Sequence, residues 1–146
     1  METVEYNGWP DCVRLSNGDV ELIVTRSVGP RIIRCGFIGE RNLFAEIEDQ
    51  QGGSGETDWM IRGGHRLWLA PEEKPKTYEP DNVPVEIEEI ADGVRTLQPP
   101  GPLAHTAKTM EITLAPGANT AEVAHILTNR GEAPIEFAPW ALTVMA

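Results

Sequence analysis

The sequence has few of the features that mark membrane, nucleic-acid-binding or disulfide-rich proteins. It holds only two cysteines, Cys12 and Cys35. No apolar run is long enough to cross a bilayer, and the amino terminus lacks the basic region and apolar stretch of a signal peptide. Basic residues are also scarce, since 12 Lys and Arg face 23 Asp and Glu, for a net charge of -11. This charge opposes binding to phosphate backbones and anionic lipids.

These absences predict a reduced, cytoplasmic protein that binds neither nucleic acid nor membrane. Both cysteines lie in strand-like runs, where a free thiol behaves as a small apolar side chain. Nothing indicates a disulfide framework or a zinc site, although a single disulfide is left open. A neutral, polyhydroxylated partner suits such an acidic surface better than an anionic one.

Helical periodicity is missing as well, and short alternating strands take its place. Asn17-Gly18 has the residues of a type I′ turn between two strand-like runs. Residues 108–114 and 121–128 alternate apolar and polar side chains, as strands with one buried face do. Prolines and glycines in residues 59–84 exclude a long helix there. The pattern predicts a single all-β domain over residues 1–146, an antiparallel β-sandwich.

Three stretches carry a family resemblance through their order along the chain. The first is the opening hairpin followed by Val-Gly-Pro-Arg-Ile-Ile at 28–33. The second is Arg-Gly-Gly-His-Arg-Leu-Trp-Leu-Ala-Pro-Glu at 62–72. The third is the hairpin of 108–114 and 123–134, which contains Thr-Asn-Arg-Gly at 128–131. Together they resemble the galactose-mutarotase-like family, the aldose-1-epimerase superfamily, and are most similar to an uncharacterised branch of it.

The resemblance implies a large antiparallel supersandwich with a sugar cleft, of which this chain would be the N-terminal half. It also implies a histidine acid just after the third stretch and a glutamate base in the second half. The position after that hairpin reads Phe137-Ala138-Pro139-Trp140 and holds no histidine. We therefore expect a mutarotase-like domain without epimerase activity, and leave open whether the chain is an enzyme.

Residues 62–72 are the strongest candidate for a sugar site. Glycines let a backbone approach a ligand, tryptophan stacks on the C–H face of a sugar, and arginine and carboxylate groups bond hydroxyls. The predicted ligand-binding residues are Arg62, His65, Arg66, Trp68, Glu72, Asp81, Asn82 and Trp140. In the alternative interpretation Gly63-Gly64 is a bulge, Trp68 is core, Arg66 pairs with Glu72 or Glu73, and Asp81-Asn82 is only a turn.

The three histidines are the remaining candidates for chemistry. His65 and His125 are weak candidates for a general acid because imidazole titrates near neutrality, yet each also fits a hydrogen-bonded strand residue. His105 is expected to be exposed. The three lack the close spacing of a metal triad, so no metal and no cofactor is predicted, although a cluster in space is left open.

Two functions follow from this sequence. The first is carbohydrate binding. The second is a structural or interaction module that self-associates without a sugar ligand. Residues 139–146 are apolar, strand-forming and uncharged. An uncovered edge recruits another strand, so we expect a homo-oligomer, most simply a two-fold dimer.

Overall fold

The computed structural model describes residues 1–146 and forms two antiparallel sheets. The six-stranded sheet has the order β1-β2-β3-β4-β5-β10 and the four-stranded sheet the order β6-β7-β8-β9. The strands are β1 (Glu2–Tyr6), β2 (Trp9–Ser16), β3 (Val20–Val24), β4 (Arg31–Phe37), β5 (Gly64–Ala70), β6 (Glu86–Ile90), β7 (Gly93–Gln98), β8 (Thr106–Leu114), β9 (Ala121–Asn129) and β10 (Ala138–Val144). The predicted all-β, antiparallel sandwich is confirmed.

The helical content is limited to two short 3-10 turns, Glu48–Gln50 and Lys76–Tyr78. Neither has the length or the apolar character that a helix needs to span a bilayer. The prediction that residues 59–84 contain no long helix is confirmed, since this proline- and glycine-rich segment forms one strand and one 3-10 turn.

The main core lies between the two sheets. Every second residue of β8, from Thr106 to Leu114, is buried, and these side chains face the six-stranded sheet. Met110 and Ile112 pack there with Leu67 of β5 and with apolar side chains of β2 and β3. Because side chains alternate across a strand, the opposite face of the four-stranded sheet carries charged residues such as Glu88 and Arg95.

A second apolar cluster lies on the outer face of the six-stranded sheet. It consists of Trp9, Cys12, Ile23, Val28 and Ile33. Two segments cover this face, residues 47–62 (the first covering loop) and residues 71–84 (the second covering loop). The Trp9 indole N–H donates to the carbonyl of Gly53 in the first of them, at 2.8 Å. The central strands of the large sheet, β2 to β5, are therefore covered on both faces.

Both cysteines are free thiols, which answers the question that the sequence left open. Cys12 lies in the outer-face cluster and Cys35 packs against the main core. Burial raises the pKa of the Cys12 thiol to about 12, and the nearby acids Asp11 and Glu5 add to that effect. A thiol that stays protonated is a poor nucleophile, so Cys12 acts as a small buried apolar side chain.

The glycine pair before β5 is required by the backbone. Gly63 and Gly64 have φ angles of +94° and +72°. A Cβ at Gly64 would lie 2.3 Å from the carbonyl oxygen of Ile32, and one at Gly63 would lie 2.0 Å from that of Ala45. On the side where a Cβ would stand, these glycines approach protein backbone and leave no room for a ligand.

The sandwich has an open side, which is formed by β9 and β10. On the opposite side the amino terminus pairs with Glu89 of β6 at 3.0 Å. On the open side β9 and β10 are the edge strands of their sheets. Pro139, Ala141 and Thr143 of β10 are exposed, although they point toward the space between the sheets. This open side brings residues of β5, β9 and β10 within reach of solvent.

Candidate functional site

Strand β5 divides the predicted ligand residues between the two faces of the large sheet. Arg66 and Trp68 point to the outer face, whereas His65 and Leu67 point into the sandwich, because side chains alternate along a strand. Pairing with β10 places Trp140 beside Trp68 and Thr143 beside His65. Residues that are adjacent in the sequence therefore serve two separate regions.

On the outer face, Asp81 is the centre of a buried ion cluster. Its carboxylate is 2% exposed and accepts a hydrogen bond from Arg66 Nη2 at 2.8 Å, while Arg31 Nη2 lies 3.6 Å away. Burial opposes ionisation, but attraction to Arg66, Arg31 and Lys108 outweighs it and lowers the pKa of Asp81. Asp81 therefore stays ionised and joins the second covering loop to strands β4 and β5. Arg66 pairs with this carboxylate, so the alternative pairing with Glu72 or Glu73 is wrong.

Arg62 and Asn82 form the adjoining part of this cluster. Arg62 is fully buried and donates to the Gln50 carbonyl at 2.6 Å and to the Asn82 side-chain oxygen at 3.2 Å. It also forms an ion pair with Glu56. The Asn82 amide donates to the carbonyls of Glu56 and Asp58. These contacts bind the two covering loops to each other, so the polar groups are directed at protein atoms.

Four aromatic side chains lie beside the ion cluster. Trp68 has its ring centroid 5.4 Å from Trp59, 5.1 Å from Tyr78 and 5.4 Å from Trp140. The Arg66 guanidinium lies 5.2 Å and 5.1 Å from the ring centroids of Trp59 and Trp68, a cation–π distance. We call Trp59, Trp68, Tyr78 and Trp140 the aromatic cluster. All of them except the buried Trp68 are half-buried.

Glu72 lies at the exposed edge of the aromatic cluster and accepts a hydrogen bond from the Tyr78 hydroxyl. That hydrogen bond, together with the negative charge of Glu72, raises the pKa of Tyr78. Of the predicted ligand residues, Glu72 is the one most open to solvent. The tyrosine hydroxyl and the carboxylate are already paired to each other.

Inside the sandwich, His65 meets His125 across the gap between the sheets. Their Nε2 atoms are 2.7 Å apart and their ring centroids 5.0 Å apart. The other ring nitrogen of His65, Nδ1, lies 2.8 Å from the Thr143 hydroxyl of β10. Burial and the neighbouring imidazole lower the pKa of His65 to about 4, and burial lowers that of His125. Both rings are neutral at physiological pH.

A pocket of about 610 Å³ opens at one end of the sandwich. It lies between the carboxyl end of β5, the second covering loop, the β7–β8 connection and the β9–β10 connection. We call it the end pocket. Its apolar lining includes Leu69, Leu103, Ile135 and Phe137, and its polar lining includes Glu73, Lys76, His105, Asn129, Arg130, Glu132 and Glu136.

None of the eight ligand residues predicted from the sequence lines the end pocket. Arg62, Arg66, Trp68, Asp81 and Asn82 are buried on the outer face, with Trp140 half-buried beside them. His105 is exposed, as expected, and borders the pocket. Sequence reasoning missed this pocket because three segments that are distant in the sequence, residues 69–77, 103–105 and 129–137, build it together. The one available signal was Phe137, in the segment Phe137-Ala138-Pro139-Trp140 where the resemblance implies a histidine and none is found.

Comparisons of the chain with protein-family models, with curated proteins and with solved structures gave no significant match. The fold and its geometry therefore define the class, an antiparallel β-sandwich with an open side and an end pocket.

Proposed function

We propose that this protein binds a neutral carbohydrate in the end pocket and does not catalyse its epimerisation. The observation that carries the proposal is the pocket itself. Its volume of about 610 Å³ lies within the range of small-ligand sites. A monosaccharide has an apolar C–H face and a rim of hydroxyls, and the pocket combines apolar and polar walls in the same way.

The apolar wall centres on Phe137, a half-buried ring in the β9–β10 connection. Aromatic rings present a large apolar face that pyranose C–H groups cover well. Leu69 and Leu103 extend this wall. The segment that holds Phe137 also argues against mutarotation, because the resemblance implies a histidine acid just after the third stretch and Phe137-Ala138-Pro139-Trp140 holds no histidine.

The polar wall favours a neutral ligand over an ionic one. Three carboxylates, Glu73, Glu132 and Glu136, face two basic side chains, Lys76 and Arg130. Lys76 is already paired with Glu73 at 3.2 Å. Carboxylate and guanidinium groups bond hydroxyls strongly as acceptors and donors, and their nearly balanced charges give no strong field for a charged substrate.

Calorimetric titration with a panel of aldoses tests the proposal. We expect binding by the wild type and an affinity about tenfold lower for Phe137→Ala, the loss expected for one aromatic contact. Phe37→Ala is the matched control, since Phe37 is an exposed phenylalanine far from the pocket, on β4. Polarimetry on glucose and galactose should give the buffer rate of mutarotation. Failure of every aldose to bind, or equal losses for both variants, would defeat the proposal.

A second candidate function, self-association, is favoured by the outer edge of β10. This strand spans Ala138–Val144 and carries no charged residue. It is an edge strand in the six-stranded sheet, so its outward backbone groups have no strand partner. Natural edge strands are usually protected by charges or bulges. Two copies with a net charge of -11 each can approach best along such an uncharged strand.

Light scattering at micromolar concentration tests this second candidate. We expect a dimer for the wild type and a monomer for Ala141→Lys, because a lysine in the pairing strand disfavours edge-to-edge contact. Ala91→Lys adds the same charge in the exposed β6–β7 turn and serves as the control. A wild-type monomer, or a dimer that survives Ala141→Lys, counts against pairing through β10.

A further inference from the structure

We propose that Lys108 is a reactive amine that binds small aldehydes covalently, as an imine. Lys108 lies on β8 and is one of three lysines in the chain, with Lys74 and Lys76. It is 7% exposed, and its side chain faces the six-stranded sheet. This activity does not depend on sugar binding in the end pocket, because the amine itself recognises the carbonyl group.

The other amines of the chain already have partners. The amino terminus pairs with Glu89 at 3.0 Å, and Lys76 pairs with Glu73 at 3.2 Å. The Lys74 ammonium lies 5.0 Å from the ring centroid of Tyr78, a cation–π distance. Each of these contacts stabilises the protonated form of its amine, which has no lone pair with which to attack a carbonyl carbon.

The amine of Lys108 forms no ion pair and no hydrogen bond. Two acids are close enough for their charges to act on it, Asp81 and Glu79. Asp81 pairs with Arg66 instead, at 2.8 Å. The Glu79 carboxylate accepts hydrogen bonds from the backbone N–H groups of residues 103 and 104, at 2.7 Å and 3.2 Å. Lys108 is therefore a buried amine whose neighbouring acids bind other groups.

The surroundings of Lys108 favour the neutral form of its amine. Burial lowers the pKa of Lys108, and the positive charge of Arg66 adds to this effect. Attraction to Asp81 and Glu79 opposes the shift but does not outweigh it. At a given pH, a larger fraction of this amine is neutral than of an exposed lysine amine. Neutral lysine is the nucleophile in imine formation.

The amine lies close to the end pocket and keeps some contact with solvent. Thr106 pairs with Asn129, which lines the pocket, and Lys108 is two residues further along β8. Two such residues on one face of a strand are about 7 Å apart. Unlike the Nε atoms of Arg31 and Arg66, the nitrogen of Lys108 is not an enclosed, unpaired atom. Because only 7% of the residue is exposed, the site admits small aldehydes rather than ring-closed sugars.

The reaction of Lys108 with an aldehyde needs no other reactant. The amine nitrogen attacks the carbonyl carbon and forms a C–N bond, which gives a carbinolamine. The two hydrogens of the neutral amine then leave with the carbonyl oxygen as water, and a C=N double bond forms. Nothing is oxidised or reduced. Addition of water reverses the reaction, and a buried position that holds little water slows this reversal.

Trapping with glycolaldehyde and cyanoborohydride at neutral pH tests the proposal, because the reductant converts an imine into a stable secondary amine. Peptide mass spectrometry of the full chain then locates the adduct. We expect most of the lysine adduct on Lys108, with Lys74 and Lys76 as controls in the same molecule. In denaturant the three lysines should react alike, because the difference comes from the fold. An adduct found mainly on Lys74 or Lys76, or on no lysine, overturns the proposal.

Substitution of Lys108 separates a reactive amine from a purely structural side chain. Methionine is also unbranched and carries no charge, so Lys108→Met should fold and lose most of the lysine adduct, whereas Lys74→Met should keep it. If Lys108→Met does not fold, the pH dependence of trapping in the wild type decides. The adduct on Lys108 should form at lower pH than the adducts on Lys74 and Lys76, as the direction of its pKa shift requires. The same pH profile for all three lysines, or an undiminished adduct in Lys108→Met, counts against the proposal.

Discussion

The polar residues on the two faces of strand β5 differ in burial and in their hydrogen-bond partners. On the outer face, Arg66 is buried and bonded to Asp81 beneath the second covering loop. On the inner face, His65 lies near the open side and bonds a second histidine and an exposed hydroxyl. Both residues belong to one short, ligand-like stretch of sequence. A short stretch of residue types that often bind sugars can therefore contain both a buried structural residue, Arg66, and a residue near solvent, His65.

The difference arises from what covers each face. Two loops close the outer face and use charged side chains as their attachment points. The inner face is covered by the four-stranded sheet, which ends at β9 and leaves β10 uncovered on that side. Burial makes the loss of any charged partner in the first set costly, because the remaining charge would be buried and unpaired. The second set keeps neutral rings close to solvent, where a ligand can reach them.

The largest effect is expected from Arg66→Ala, which removes the main partner of buried Asp81. A buried charge that loses its partner is strongly destabilising, and because Arg31 and Lys108 remain near Asp81 we expect a loss of about 3 kcal/mol in the free energy of unfolding. Denaturant unfolding with an unchanged m value measures it. Arg95→Ala, which removes the exposed pair with Glu111, is the control and should cause a much smaller loss. Equal losses in the two variants would show that the Asp81 cluster is not structural.

The second largest effect is expected on the pH dependence of the free energy of unfolding, through His65 on the inner face of β5. The pKa of His65 is lowered to about 4 from an ordinary 6.5, so the unfolded chain binds more protons between these values. Stability from this group is full above pH 6.5 and falls as the pH drops toward 4. After allowance for its partial exposure, we expect a loss of about 1–2 kcal/mol.

Thermal or denaturant unfolding measured from pH 7 to pH 4 checks this expectation, with His65→Gln as the variant that cannot titrate. The slope should be smaller in His65→Gln than in the wild type. An identical slope in both proteins would mean that His65 is not held neutral by the fold. The pKa of Asp81 is also lowered, so its contribution is lost only in more acidic solution than that of His65.

The fold was predictable because its signals are local. Alternation in residues 108–114 and 121–128 identifies β8 and β9, and Asn17-Gly18 marks the β2–β3 hairpin. The predicted type I′ turn is wrong, because only Gly18 of the pair has a positive φ. These patterns depend only on near neighbours in the sequence. The same local signals also predicted that long helices are absent, and the structure has only two short 3-10 turns.

The sites were less predictable because their contacts are distant. His65 and His125 are 60 positions apart, and the spacing rules for metal triads do not apply to a pair formed across two sheets. Arg66 was predicted to bind a ligand or, in the alternative interpretation, to pair with Glu72 or Glu73, but it pairs with Asp81, 15 positions away. The stretch at 62–72 also gave no indication that its residues point to two faces, because its strand register becomes known only from the pairing with β4 and β10.

The smallest effect is expected from Trp140→Phe, and it shows on which side of the molecule a sugar binds. Trp140 is half-buried and stacks edge-on against Trp68 at 5.4 Å, so a phenylalanine keeps most of the contact and we expect a loss of about 1 kcal/mol or less. Aldose affinity should stay at the wild-type value, because the end pocket does not include Trp140. Calorimetry beside Phe137→Ala makes the comparison. If Trp140→Phe weakens binding and Phe137→Ala does not, the sugar lies over the aromatic cluster, among the residues that the sequence predicts.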